Sequence, residues 1–81
     1  MTASLEFIEG RITLHPDICN GLPTIRGKRI TVQAILEYLG AGDAEGDILE
    51  QFPELEPEDI RACLQFASQL MNQRYELLKV A

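Results

Sequence analysis

Apolar positions follow two different periods along this chain, and the change falls near Thr31. Before it, Leu5 and Phe7 and then Ile12 and Leu14 alternate with polar neighbours on either side of Glu9-Gly10, which predicts a short hairpin or two short strands. His15-Pro16-Asp17 ends that run, because Pro16 donates no ladder hydrogen bond and biases His15 to an extended conformation. Asn20-Gly21 is a second turn signal, since both residues tolerate positive φ. Residues 23–30 then read as two short extended pieces around Gly27, with three cations at the turn.

From Thr31 onward the period is about 3.6. Thr31 suits a helix N-cap, and Val32, Ile35, Leu36 and Leu39 mark one helical face that Gly40 and Gly42 bring to an end. Asp43 is expected to cap a second helix with Glu45 and Asp47 in its first turn and Ile48, Leu49 and Phe52 as its apolar face, ended by Pro53. Pro57 suits the first position of a third helix, with Glu58 and Asp59 in the opening turn and a stripe through Ile60, Cys63, Leu64, Ala67, Leu70, Met71 and Leu78. Three helices with short connections are compatible with helix-turn-helix geometry, an arrangement that serves DNA binding, dimerisation and protein docking alike.

At 81 residues the chain is expected to form a single domain, with residues 1–30 as a β-rich segment and residues 31–81 as a three-helix unit. Aromatic residues are 6% of the chain and there is no Trp, so the core must be mainly aliphatic. Apolar runs fall far short of the ~20 residues that cross a bilayer. Cys19 and Cys63 lie far apart with no paired spacing, so the expectation is a cytoplasmic protein with free thiols.

Charge changes the picture more. The net charge is −6, unevenly placed: residues 1–30 sum to +1 and residues 31–81 to −7, with nine acids and no base from Glu37 to Asp59. Since cations supply most of the affinity for a polyanion, nucleic-acid contact is sought at Arg26, Lys28 and Arg29, with Arg11, and not on the third helix, whose start is acidic. The competing reading pairs these cations with the chain's own carboxylates. The acidic middle suggests solvation or a basic protein partner.

Catalytic chemistry has little support. The single histidine, His15, has no nucleophile near it in sequence, and Gly21 and Gly27 read as turn glycines and not as a phosphate cradle. The spacing of His15, Asp17, Cys19 and Cys63 matches no paired zinc-ligand pattern, so no metal or cofactor is expected, and His15 is read as serving turn backbone groups or an interface. Helix three, taken from Pro57 to Lys79, outreaches the two shorter helices, so Leu70, Met71, Tyr75, Leu77, Leu78 and Val80 are read as a surface for a second copy or another protein. The alternative is that the N-terminal strands cover this end within the same chain.

The run from Arg11 to Val32, in particular Asp17-Ile18-Cys19-Asn20-Gly21-Leu22-Pro23-Thr24-Ile25-Arg26-Gly27, resembles the signature of domain-of-unknown-function family 433. Downstream, Ile35-Leu36, Gly42, Ile48-Leu49, Phe52-Pro53-Glu54-Leu55 and Asp59 to Leu64 fall where that family has its helical consensus, so the likeness spans about residues 11–69. The resemblance implies a mainly α, homeodomain-like trihelical domain behind a short β-rich segment. It also implies a non-enzymatic antitoxin of the VapB type that neutralises a PIN-like ribonuclease toxin, binds operator DNA as autorepressor and forms a dimer. The alternatives are a DNA-binding regulator without a toxin and a plain oligomerisation domain. One departure is Glu56, which stands where that family is expected to have a Ser or Thr cap.

Overall fold

The computed structural model describes the backbone of residues 4–80 and the side chains of residues 4–72. Strands β1 (Leu5–Phe7), β2 (Ile12–Leu14) and β3 (Thr24–Ile25) form an antiparallel sheet in that order, followed by helices α1 (Val32–Gly40), α2 (Glu45–Gln51) and α3 (Pro57–Val80). Leu5 lies opposite Leu14 and Phe7 opposite Ile12, so the alternation in the sequence becomes the register of the hairpin. Ile12 then faces Ile25 across the second ladder, and both are fully buried.

Left-handed turns follow β1 and β3. The Arg11 amide closes on the Ile8 carbonyl around Glu9 (φ 55°) and Gly10 (φ 82°), and the Lys28 amide closes on the Ile25 carbonyl around Arg26 (φ 48°) and Gly27 (φ 72°). Both have the positive φ at two central positions that matches the twist of short hairpins. The Asn20-Gly21 signal lies in a 3-10 turn over Cys19–Gly21, with Cys19 and Asn20 also left-handed.

Thr31 caps α1 by accepting a hydrogen bond from the Ala34 amide at 3.1 Å. The helix runs through Gly40 and stops at Gly42 (φ 99°): the Gly42 amide donates to the Leu39 carbonyl and the Asp43 amide to the Tyr38 carbonyl, a Schellman closure. That closure engages Asp43 in the end of α1, and Ala44, with no side-chain cap bond, is the N-cap of α2 in place of the expected Asp43. Pro57 opens α3 as expected.

One core joins sheet and helices. Ile12, Ile25 and Ile30 from the first third pack with Val32 and Ile35 of α1, Ile48 of α2, and Ile60, Ala62, Cys63 and Phe66 of α3. Thr24 is fully buried among them, and its hydroxyl donates to the Thr13 carbonyl at 3.2 Å, so the polar atom is satisfied. Among the described residues no helix is long and apolar enough to cross a membrane.

Candidate functional site

Two surfaces follow from the residues singled out by the sequence: the cations of the first third and the apolar end of α3. The cations are brought together by backbone. The Arg26 amide donates to the Arg11 carbonyl at 2.9 Å, and the Gly27 amide donates to the Thr13 hydroxyl at 2.9 Å, which pins the left-handed Arg26-Gly27 turn onto β2. Both guanidinium groups are thereby carried to the start of α3.

There they meet Asp59, whose side chain is fully buried. Arg11 Nη1 donates to Asp59 Oδ1 at 2.8 Å and to Glu56 Oε1 at 2.8 Å. Arg26 donates from Nε at 3.0 and 3.2 Å and from Nη2 at 2.8 Å to the same carboxylate, and Nη2 also reaches the Glu54 carbonyl at 2.9 Å. The Glu56 amide completes the set at 2.8 Å. Burial alone would raise the Asp59 carboxyl, but the donors from Arg26, the Glu56 amide and Arg11 outweigh it and hold the group below its ordinary value. Hydrogen bonds to Glu56 and Asp59 raise Arg11, and the bonds to Asp59 raise Arg26.

This cluster clamps the sheet to α3. Asp59 is the third helical residue and reaches back to the amide of the residue preceding the helix, the acidic half of a capping box. Glu56, which departs from the expected Ser or Thr, turns its carboxylate to Arg11 instead. Lys28 Nζ lies 4.0 Å from Glu54 Oε2, while Arg29 is exposed and makes no ion pair among the described residues. Of the four residues read as a phosphate-contacting set, three therefore face carboxylates of their own chain. Sequence reasoning assigns Asp59 only to the helix dipole. The signal that points to more is its position three residues after the residue preceding Pro57.

His15 accepts a hydrogen bond from the Asp17 amide through Nδ1 at 3.1 Å, the turn role read for it. Burial pushes the Cys63 thiol up to about 12, with the Asp59 charge adding to it.

The second surface is a groove of about 320 Å³ between α1 and α3, walled by Pro23, Val32 and Leu36 on one side and Phe66, Leu70 and Met71 on the other. Helix α3 has 24 residues against nine in α1 and seven in α2, about 36 Å against about 14 and 11 Å, and is longer than the two together. Strand β1 reaches α3 through Phe7, whose ring stands 5.3 Å from that of Phe66. It goes no further along the helix: Leu70 is 45% and Met71 66% exposed. Tyr75, Leu77 and Leu78, read as part of the same surface, have side chains outside the described residues.

A family described as "Protein of unknown function (DUF433)" matches residues 12–67, and the chain belongs to it. The chain is also 38% identical over 50 residues to "Uncharacterized protein y4eO" of Sinorhizobium fredii (strain NBRC 101917 / NGR234). That match takes in 62% of this chain but spans only 23% of the relative's length. No solved structure matches the chain.

Proposed function

We propose that this member of the family is a non-enzymatic interaction module of antitoxin type, a homeodomain-like trihelical unit whose α1–α3 groove receives a protein partner. A PIN-like ribonuclease is the partner that the likeness to VapB-type antitoxins implies. The observation that carries the reading is the pair Leu70 and Met71, left exposed beside an apolar groove on a chain of net charge −6. Operator binding is the weaker reading, because Arg11, Arg26 and Lys28 are committed to internal carboxylates and Arg29 is left to meet phosphate.

The test is co-expression with the product of a neighbouring reading frame that encodes a PIN-type ribonuclease. The two chains should co-purify, and ribonuclease activity should return on adding Leu36→Glu or Leu70→Glu variants in place of the wild-type chain. A ribonuclease that is neither bound nor inhibited overturns the reading. Tight DNA binding with a salt slope worth several phosphate contacts would favour the regulator instead.

A further inference from the structure

One edge of the groove, Ala67 and Met71, belongs to a longer apolar line on α3. Leu64 is 49% exposed and Met71 66% exposed, seven residues apart and therefore on one side of the helix, with the small Ala67 between them. The backbone of α3 continues as helix to Val80, so positions 75 and 78, occupied by Tyr and Leu, extend the same line. The positions 64, 67, 71, 75 and 78 read the same from either end. A half-turn about Met71 carries 64 onto 78 and 67 onto 75, setting Leu opposite Leu and small Ala opposite bulky Tyr.

We infer that α3 pairs antiparallel with the α3 of a second copy, across a two-fold axis at Met71. A two-fold interface needs a patch that is complementary to itself, and this line meets that need by setting 64 against 78, 67 against 75 and 71 against 71. Charge favours the same sense of pairing. The first turn of α3 exposes the acid Glu58, and in its last two turns Arg74 and Lys79 outnumber Glu76, so antiparallel packing brings unlike ends together while parallel packing would bring like ends together. The seven-residue step from 64 to 71 to 78 drifts by only about 20° per repeat, which the slight crossing of a helix pair absorbs. The line from 64 to 78 is about 21 Å long. At a helix width of about 10 Å the line covers about 200 Å², well under the roughly 800 Å² per partner of a stable complex, so the dimer is concentration-dependent and not permanent. Ala67 and Met71 also line the groove, so this pairing competes with the nuclease partner proposed for it, and the chain studied alone, with no nuclease present, isolates the pairing.

Sedimentation of the isolated full chain should show its mass rising from monomer to dimer with concentration. Under mild oxidation, Met71→Cys should form a covalent dimer whose cross-linked peptide joins position 71 to itself. Leu64→Cys should not, because an antiparallel pair holds the two copies of residue 64 about 21 Å apart along the axis, far beyond the ~7 Å Cα limit of a disulfide. Met71→Glu should lose the dimer and, at dilutions where the wild type is monomeric, keep its helical circular dichroism and thermal midpoint. The inference is overturned if the wild-type chain stays monomeric at millimolar concentration, if Leu64→Cys cross-links as readily as Met71→Cys, or if Met71→Glu associates like the wild type.

Discussion

Asp59 has no exposed surface, lies in the first turn of α3, and accepts donors from two arginines and one amide. Replacing it by Asn keeps the shape but aims an NH2 group at cationic donors, and removing one member of a buried ion pair is expected to lower stability by about 3 kcal/mol. Urea denaturation at neutral pH checks this. The same residue gives the fold a pH limit. An unfolded Asp titrates near about 3.9, and folding lowers the Asp59 value, so the unfolded chain binds more protons as the pH falls through that region. The contribution of Asp59 is complete above about pH 5 and disappears as the pH drops toward its folded value. The wild-type urea midpoint should therefore fall between about pH 5 and pH 3 more steeply than that of Asp59→Asn. Cys63 offers an independent check on the core. Fully buried and with its thiol pushed up to about 12, it should resist a disulfide reagent that modifies the half-buried Cys19. One thiol of the native chain should titrate, and the second only in denaturant.

Among the elements, α1 depends most visibly on its ending. Gly42 at φ 99° has open space around the position where a Cβ would stand, so the cost of Gly42→Ala comes from the backbone alone, about 1–2 kcal/mol. For a chain of this size that is a fall of about 4–8 °C per kcal/mol in the thermal midpoint. A matching Gly40→Ala change, at the last residue of the helix and with nothing within 4 Å, should stabilise by about 0.4–1 kcal/mol through the unfolded chain's lost freedom. Elements of this kind are legible in the amino-acid sequence, because Thr31, Gly42 and Pro57 act through their own backbone within a few residues. The N-cap of α2 falls one residue beyond the expected Asp43 because Asp43 is held in the closure of α1. The clamp on Asp59 is not legible. Arg11 and Arg26 lie 48 and 33 residues from it, and no local period or cap rule links partners at that range. A cluster of cations in a sequence does not say whether it faces a ligand or its own chain.

At the scale of the whole molecule, sheet and helices share one hydrophobic core. Ile12 and Ile25 are fully buried in the same cluster as Ile35, Ile48 and Ile60, and the clamp ties both strand turns to α3. The chain cut to residues 31–81 should therefore fail to fold: it keeps three helices on paper but exposes the isoleucines that β2 and β3 cover. Weak far-ultraviolet helicity and no cooperative thermal transition are the expected signature, and a cooperative helical fragment would show that the sheet is an accessory. The Arg26 position has a further consequence for the protein's sequence space. Its φ of 48° suits glycine, while its carboxylate partner requires a guanidinium, so conformational ease and charge complementarity select different residues. Gly relieves the backbone but brings no charge, and Lys brings the charge without the planar fork. In a library varied at positions 11, 26 and 59 and sorted for folding, survivors should not be independent at the three sites. They should divide into those that keep Arg at 26 with Asp at 59, and those that give up the charge at both positions together, with Gly or Asn then entering at 26.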